Sequence, residues 1–233
     1  MPQTDTVIVF IHGAGLSPDI WRRLAPIAGA ESSFASFPRR GQAEAAKLTF
    51  EEYETALTRQ IQGLRHPRIV LVGHSLGGTL MMRMSEVLGD RVVGLVAMAA
   101  MIPLPNEDFF SCLPFPQRTI LPLVVRLAGT KVPESAIRRG LCADLSGEQA
   151  DAVVKGFTAE SRRLYCEPIR YTPRELPALY VVFSGDQDFP PARQRLMARR
   201  LHADVEEVPG GHLAMLSQPE TLGRLLAAFT ARL

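Results

Sequence analysis

Short runs of apolar residues recur along this chain and are separated by longer segments with the period of a helix. Strands are predicted at 7–11, 33–37, 69–73, 92–98, 179–184 and 204–208. Apolar runs without polar alternation are typical of strands that are buried on both faces. Helices are predicted between them, at 19–28, 50–64, 76–88, 192–201 and 219–233. This order indicates right-handed βαβ crossovers and predicts an α/β fold, with a mostly parallel sheet of about six strands flanked by helices.

The segment 103–176 interrupts this rhythm. Prolines are frequent in its first part, and helix-like stretches follow at 134–141 and 147–159. Because a segment of this length without a strand is too long for one connecting loop, we predict a helical cap, inserted into a single domain whose core is 1–102 and 177–233. Seven apolar side chains of the segment either line a pocket or pack the cap onto the sheet: Phe109, Phe110, Leu113, Phe115, Leu121, Leu123 and Val124.

The bulk composition is that of one globular domain. The 233 residues are 46% hydrophobic and 21% charged, which is far from the composition of a disordered chain. The net charge is +2, and the arginine pairs are spread along the chain rather than gathered into a basic run. We therefore expect no nucleic-acid partner.

The three cysteines and the N-terminal sequence indicate the cellular compartment in which the protein is expected. Cys112, Cys142 and Cys166 are odd in number and lack the spacing of a metal site, which indicates reduced thiols and no zinc. The apolar run 7–11 follows no basic region and is too short for a signal peptide or a membrane span. We expect a cytoplasmic protein without a membrane partner, and its oligomeric state, a dimer included, stays open.

A candidate nucleophile lies between a predicted strand and a predicted helix. The sequence Gly73-His74-Ser75-Leu76-Gly77 matches the pattern G-x-S-x-G. A sharp turn from strand to helix strains the backbone of its middle residue, and Gly73 and Gly77 leave room for it. The turn lifts the Ser75 hydroxyl above the carboxyl edge of the sheet, beside a helix N-terminus. Ser75 is therefore predicted to be a nucleophile, the alternative being a serine that only caps the helix.

A serine hydroxyl needs a base whose pKa lies near 7, and histidine is the natural candidate. Four of the five histidines lie beside the nucleophile or at polar helix ends, at His12, His74, His66 and His202. His212 instead follows the predicted strand 204–208 in a glycine-rich loop, from which it can reach the serine of a neighbouring strand. His212 is therefore predicted to be the general base.

The third member of such a set is an acid that orients the base. In this order of elements the acid follows the strand 179–184, where Asp186 and Asp188 lie in one loop. A carboxylate there accepts the Nδ1 proton of His212 and stabilises the imidazolium. Spacing leaves both aspartates open, and the other one is expected to cap the loop.

Acyl transfer also needs hydrogen-bond donors for an oxyanion. The loop His12-Gly13-Ala14-Gly15 follows the first predicted strand, and its glycines let the backbone approach a substrate. We assign the backbone N–H groups of Ala14 and Leu76 to this oxyanion hole; the alternative for the loop is a plain turn from strand to helix. The sequence contains neither a nucleotide-binding motif nor a metal-binding motif, so we expect no cofactor and no metal.

Four segments together resemble the α/β-hydrolase superfamily over nearly the whole chain: FIHGAG, GHSLGG, SGDQDFPP and GGHLAML. Within it, IHGAGLSPDIWRRLAP and GGHLAMLSQPETL look like the branch of plant methylesterases and hydroxynitrile lyases. This resemblance implies the α/β-hydrolase fold and small carboxylic esters or cyanohydrins as substrates. In the superfamily the catalytic aspartate is commonly followed four residues later by proline. Asp186 with Pro190 fits this pattern, so the resemblance favours Asp186 over Asp188.

Two departures separate the esterase from the lyase. Hydroxynitrile lyases of this branch carry a lysine directly after the catalytic histidine and a threonine in the first oxyanion loop, where this chain has Leu213 and Ala14. The resemblance therefore favours a serine hydrolase that cleaves a small carboxylic ester, lactone or thioester, with an apolar or aromatic ester as the expected substrate. The alternatives are a lyase or cyclase that uses the same residues, and a ligand-binding receptor that has kept them.

Two further expectations concern charge. Arg39 and Arg40 stand where many relatives have a segment like Asp-x-Pro-Gly-His-Gly, and either lie at the surface or meet an anionic group of the substrate. If His212 must be neutral to accept the Ser75 proton, kcat/KM is predicted to fall below an apparent pKa of about 6 to 7.

Overall fold

A computed structural model describes residues 5–233 of the chain. Within this range one sheet contains six strands: Thr6–Ile11 (β1), Glu31–Ala35 (β2), Arg68–His74 (β3), Val92–Met98 (β4), Ala178–Phe183 (β5) and Asp204–Val208 (β6). They lie in the order β2-β1-β3-β4-β5-β6, and all neighbouring strands are parallel. The prediction of an α/β fold with a mostly parallel six-stranded sheet is confirmed.

The α-helices of the described range are Phe50–Gln62 (α1), Gly77–Val87 (α2), Gln117–Ala128 (α3), Glu134–Arg139 (α4), Gly147–Gly156 (α5), Arg163–Cys166 (α6), Pro191–Arg200 (α7), Ala214–Ser217 (α8) and Pro219–Thr230 (α9). Local caps mark where some of them begin. At the start of α1, the hydroxyl of Thr49 accepts the N–H of Glu52 at 3.0 Å, and the Glu52 carboxylate accepts the N–H of Thr49 at 2.8 Å. This reciprocal pair satisfies two N–H groups that the first helical turn leaves unpaired.

Side chains of the central strands alternate between two apolar clusters, one on each face of the sheet. In β1, Val7 and Val9 belong to one cluster, whereas Ile8 and Phe10 belong to the other. The first cluster includes side chains of α1, α2 and α7, and the second includes side chains of α9 and the fully buried Trp21. Removal of this apolar surface from water is the main favourable contribution that holds the helices on the sheet.

The edge strands are less buried than predicted. Most residues of β2 and β6 are exposed or half-buried, because an edge strand has a neighbour on one side only. The strand β2 also begins at Glu31, two residues before the predicted start, since Glu31–Ala35 is the stretch in register with β1. The segment 19–28 forms two short 3₁₀ helices, Pro18–Trp21 and Ala25–Ile27, rather than one α-helix. Pro26 lies inside the second of them and has no N–H for one continuous α-helix.

Between β4 and β5 the described chain contains α3 to α6 and no strand. The helices α4 and α5 begin at the predicted positions, but α3 is not predicted because Pro122 lies inside it. A proline inside a helix removes one hydrogen bond and disfavours the helix in any reading of the sequence. No helix in the part of the chain that the structure describes has both the length and the apolar character needed to cross a membrane.

The topology brings two loops together at the carboxyl edge of the sheet. The strand β1 lies between β2 and β3, so the chain leaves β1 in one direction and returns on its other side. Ile11, the last residue of β1, pairs with Gly73 near the end of β3. In open α/β sheets such a switch point forms the crevice in which ligands bind. The loops that follow β1 and β3 therefore emerge side by side there.

Candidate active site

Ser75 occupies the sharp turn between β3 and α2. Its φ is +50°, a left-handed conformation that costs a residue with a side chain about 1 to 3 kcal/mol. Backbone hydrogen bonds hold it there: the N–H of Ser75 donates to the carbonyl of Met98 at 3.3 Å, and the Ser75 carbonyl accepts the N–H of Met101 at 2.9 Å. The Ser75 side chain is half-buried. The chain around β4 thus fixes a strained serine at the carboxyl edge of the sheet.

Close backbone contacts explain two glycines of this region. A Cβ on Gly77 would overlap the carbonyl oxygen of Ile11, at the end of β1. A Cβ on Gly13 would lie 2.9 Å from the Cβ of Ser75 and 2.9 Å from Nδ1 of His74. Both distances are shorter than real Cβ contacts, so the loop after β1 and the turn at Ser75 are in direct contact because they lack these side chains.

Two backbone N–H groups near this contact have no hydrogen-bond acceptor among the described residues. Within residues 5–233 neither the N–H of Ala14 nor that of Leu76 donates a hydrogen bond. Leu76 is buried and directly precedes α2, and Ala14 is half-buried in the loop after β1. Unpaired N–H groups at a helix N-terminus and in a glycine-rich loop are suited to stabilise an oxyanion.

His212 lies in the loop between β6 and α8, where it meets an aspartate. Its Nδ1 donates to Oδ2 of Asp186 at 2.7 Å, and both side chains are almost fully buried. Asp188 is exposed, and its backbone N–H donates to Oδ1 of Asp186 at 2.9 Å. Of the two aspartates that spacing leaves open, the structure therefore brings Asp186 to His212.

The pKa of His212 depends on two opposed effects. Burial of the ring disfavours the charged imidazolium, but the carboxylate of Asp186 outweighs burial, with further contributions from Asp188 and Asp144. The balance raises the pKa of His212 above its ordinary value. A carboxylate that stabilises the imidazolium in this way makes the ring a stronger base.

The other ring nitrogen of His212, Nε2, is buried and has no hydrogen-bond partner in the described residues. Ser75 and His212 are therefore not hydrogen-bonded to each other in this structure. Nε2 of His12 and Nδ1 of His74 are also buried and unpaired, so the carboxylate on Nδ1 is what distinguishes His212 from them. In enzymes without substrate the bond between nucleophile and base is often long and tightens when substrate binds.

His74 and His12 make structural contacts around the site. Nε2 of His74 donates to the backbone carbonyl of His212 at 2.9 Å, and the two rings are 4.7 Å apart. Nδ1 of His12 donates to the carbonyl of Gly13 at 2.8 Å. Burial holds the pKa of His74 well below its ordinary value and lowers that of His12 to about 4, so both rings are neutral. The residue before Ser75 thus contacts the loop that carries His212.

Gln194 supports the aspartate, although the sequence analysis does not single it out. This fully buried side chain of α7 donates Nε2 to Oδ2 of Asp186 at 3.1 Å and to the carbonyl of Phe189 at 2.7 Å. Its Oε1 accepts the N–H of Phe183 at 2.8 Å. The sequence contained a signal for this role, because Gln194 is a polar residue on the same buried face of the helix as the apolar Met197.

Asp144, between α4 and α5, supports the loop of the histidine. Its Oδ2 accepts the N–H of Gly211 at 2.7 Å and the hydroxyl of Ser217 at 3.0 Å. A Cβ on Gly211 would overlap the carboxylate of Asp144. No local pattern in the sequence marks Asp144, because its partners are distant along the chain.

The guanidinium of Arg40 is hydrogen-bonded to other groups of the protein. Its guanidinium contacts Oε1 of Glu160 at 3.0 Å and donates to the carbonyls of Gly15 at 2.8 Å and Gly156 at 2.7 Å. Glu160 is buried and also accepts the hydroxyl of Tyr53 at 3.0 Å. Neither expected role of Arg40 includes this partner: its side chain is 19% exposed and paired with Glu160. Arg39 is exposed.

The apolar residues of 103–176 that were expected to line a pocket or to pack on the sheet divide into three groups. Phe110 and Leu113 are buried in the core. Phe109 and Leu121 are half-buried and pack against the same cluster. Phe115, Leu123 and Val124 are exposed instead.

Residues 8–224 match the model of a family described as the alpha/beta hydrolase family. No curated protein matches the chain. Many solved structures match it, and three of them illustrate the range.

An extracellular α/β-hydrolase from a Paenibacillus species, described as sharing structural and functional homology with tobacco salicylic acid binding protein 2, has a TM-score of 0.85 and 19% identity, over 96% of this chain and 98% of that one. A pyrethroid hydrolase from Sphingobium faniae JZ-2 has a TM-score of 0.78 and 23% identity, over 97% of each chain. A methylesterase from Arabidopsis has a TM-score of 0.78 and 20% identity, over 98% of this chain and 100% of that one. At these identities the likeness concerns the fold.

Proposed function

Because the chain belongs to the α/β-hydrolase family, we propose that it is a serine hydrolase that cleaves small carboxylic esters, lactones or thioesters through an acyl-enzyme on Ser75. The observation that carries this proposal is the hydrogen bond of 2.7 Å between Nδ1 of His212 and Asp186. It leaves the opposite nitrogen, Nε2, buried and unpaired. An oriented imidazole with one free nitrogen is the base that a serine nucleophile needs.

In the proposed first half-reaction, Nε2 of His212 takes the proton of the Ser75 hydroxyl while Oγ attacks the ester carbonyl carbon. The carbonyl oxygen becomes an oxyanion and accepts hydrogen bonds from the N–H groups of Ala14 and Leu76, each worth about 2.7 to 4 kcal/mol of transition-state stabilisation. When the tetrahedral intermediate collapses, the bond to the alcohol breaks and His212 gives its proton to the leaving oxygen. The acyl group stays on Ser75.

In the second half-reaction, water replaces the alcohol. His212 takes a proton from the water, the hydroxide attacks the acyl carbon, and the intermediate collapses with return of the proton to Ser75 Oγ. The carboxylic acid leaves and the enzyme is restored. Asp186 keeps its charge throughout and stabilises each imidazolium.

The proposal includes a cap formed by 103–176 over a core formed by 1–102 and 177–233. Contacts of this segment with both catalytic loops support it. The N–H of Thr158 donates to the carbonyl of Gly15 at 2.9 Å, and the ring of Phe157 occupies the space that a side chain at Gly15 would need. Asp144 holds the N–H of Gly211 from the same segment. A cap anchored in this way would exclude water from the reaction.

An uncharged substrate is part of the proposal. Arg40 is bound to Glu160 and to two carbonyls, which leaves its guanidinium less available to an anionic group. Leu213, which follows the proposed base, is fully buried and apolar. Among the proteins of similar fold are a methylesterase and a pyrethroid hydrolase. An apolar or aromatic ester fits these observations.

Turnover of p-nitrophenyl acetate tests the proposal. Wild-type protein should hydrolyse the ester, and Ser75→Ala should lower kcat/KM by a factor of about 10⁴ or more. Ser36→Ala, at an exposed serine outside the site, is the matched control and should leave the rate unchanged. Folded wild-type protein without turnover, or Ser75→Ala with the full rate, would exclude an acyl-enzyme on Ser75. A full rate of Ser75→Ala on another substrate would instead favour a lyase or cyclase that uses His212 alone.

A further inference from the structure

The helix α3 carries an outward apolar face. Ile120, Leu123, Val124 and Leu127 are spaced as one helical stripe and are 51%, 59%, 45% and 86% exposed. We call these four residues the α3 stripe. No residue of α3 is buried. Large apolar side chains scattered singly over a surface are ordinary, but four on one helix face form a contiguous patch.

A second apolar face attaches α3 to the protein. Leu121 and Val125 are half-buried and pack against the core cluster. They lie one turn apart on a different side of the helix from the α3 stripe. The α3 stripe is therefore not the packing face of the helix.

The charged residues of the segment 109–133, which contains α3, have one sign. Between Asp108 and Glu134 the sequence contains Arg118, Arg126 and Lys131 and no acidic residue. All three cations are exposed. In the part of the chain that the structure describes, neither Arg118 nor Arg126 forms an ion pair. Phe115, 74% exposed, stands just before the helix.

We propose that α3 docks the protein onto an anionic lipid surface. The α3 stripe lies in the boundary between headgroups and acyl chains, and Arg126, beside the stripe, and Lys131, just after the helix, meet the lipid phosphates. An amphipathic helix with apolar side chains on one face and cations beside them binds membranes in this orientation. The inference does not rest on the proposed hydrolase activity.

A second copy of the chain fits the α3 stripe less well. A stable protein interface takes about 800 Å² from each partner. A helix of this length is about 18 Å long and about 10 Å wide, so its face offers on the order of 200 Å². Two copies would also bring the same cations together. The patch is a convex helix face, whereas an extended peptide or a partner helix is usually held in a groove.

This inference revises the expectation of no membrane partner. That expectation rests on the absence of an apolar run long enough to span a bilayer. A helix that lies on the surface needs one apolar face rather than a span. Pro122 inside α3 hides the helical period of this face in the sequence.

Sedimentation with lipid vesicles tests the inference, using the full chain without substrate. Wild-type protein should bind vesicles of equimolar phosphatidylcholine and phosphatidylglycerol at low ionic strength and should be released at high ionic strength. Leu123→Gln with Leu127→Gln should lower the partition coefficient about tenfold or more. Arg126→Gln with Lys131→Gln should lower it by a similar factor on anionic vesicles. Phosphatidylcholine vesicles alone should bind much more weakly.

The matched controls are Val205→Gln, at an apolar residue 49% exposed on β6, and Arg65→Gln, at another exposed arginine. Both should bind as wild type does. Leu127→Trp keeps the stripe apolar and adds a tryptophan whose fluorescence should shift to the blue when anionic vesicles are present. This variant tests the inference even if the Gln variants do not fold. No binding of wild type to anionic vesicles, equal binding of folded Gln variants, or a dimer in solution that Leu127→Gln dissociates would each overturn the inference.

Discussion

Arg40 and Glu160 form an ion pair at 3.0 Å that joins the loop after β2 to the segment between β4 and β5. The Glu160 side chain is 1% exposed and that of Arg40 is 19% exposed. Arg40 also donates to the carbonyl of Gly15, next to the proposed oxyanion donor of Ala14. One guanidinium thus ties the proposed cap to the loop that would stabilise the transition state.

Removal of this guanidinium should affect both stability and turnover. Arg40→Met keeps the aliphatic stem but leaves the buried Glu160 carboxylate without a cation, which should lower the free energy of unfolding by about 2 to 3 kcal/mol. The carbonyl of Gly15 also loses a donor, so kcat should fall more than KM rises. Urea denaturation and steady-state kinetics measure the two effects. Arg39→Met, at the exposed neighbour, should change neither.

A double variant separates the ion pair from the packing of the arginine stem. Arg40→Met with Glu160→Gln removes the uncompensated charge, so part of the lost stability should return. Simple addition of the two single effects would show that Arg40 and Glu160 do not act as a pair.

Gln194 should be a positioning residue for Asp186. Gln194→Met removes the donor to Oδ2 of Asp186 and leaves the buried N–H of Phe183 unpaired. The expected costs are about 2 kcal/mol of stability and about a tenfold loss in kcat with a smaller change in KM, because orientation of the base is lost. The same kinetics on Arg195→Met, an exposed residue of the same helix, should match wild type. Unchanged kcat in folded Gln194→Met would show that Asp186 is held without it.

The rate should depend on pH through His212. The base works when neutral, so kcat/KM rises as the pH increases through the pKa of His212. Asp186 raises that pKa above the ordinary value, so the acid limb should lie at higher pH than the 6 to 7 expected from sequence. Asp186→Asn removes the charge and should move the limb to lower pH, with a loss in kcat of about 10⁴. A limb that moves to higher pH in this variant would contradict the assignment.

Asp144 should fix the loop of His212 from the proposed cap. Asp144→Ala removes the acceptor for the N–H of Gly211 and the hydroxyl of Ser217, so kcat should fall several-fold as the base loses its orientation. It also removes a charge that raises the pKa of His212, so the acid limb should move slightly to lower pH. Asp151→Ala, at an exposed acid of α5, is the control. An unchanged pH profile in Asp144→Ala would limit Asp144 to a packing role.

Features encoded locally could be predicted from the sequence. The apolar runs gave five of the six strands to within one residue, and the glycine-rich turns placed Ser75 and the loop of Ala14 at strand ends. The helix α1 begins at residue 50, as predicted, and Thr49 caps it. Each of these signals lies within a few neighbouring residues.

Features that depend on contacts between residues distant along the chain could not be predicted from the sequence. Asp186 and Asp188 share one loop, so spacing leaves both open; the family resemblance favours Asp186, and the structure places Asp186, buried, against His212. Asp144 meets Gly211 across the fold, and Arg40 meets Glu160. The helix α3 was not predicted because a proline in the sequence disfavours a helix, whereas this exposed helix tolerates Pro122.

The central claim is that Ser75 becomes a nucleophile, and covalent labelling tests it most directly. Intact mass spectrometry after treatment with a fluorophosphonate should show one phosphonyl group per folded chain, and peptide mapping should locate it on Ser75. His212→Ala should slow this labelling strongly, since the base is gone, and Ser75→Ala should abolish it. Folded wild-type protein that takes up no phosphonyl group, or takes it up on another residue, would contradict the account.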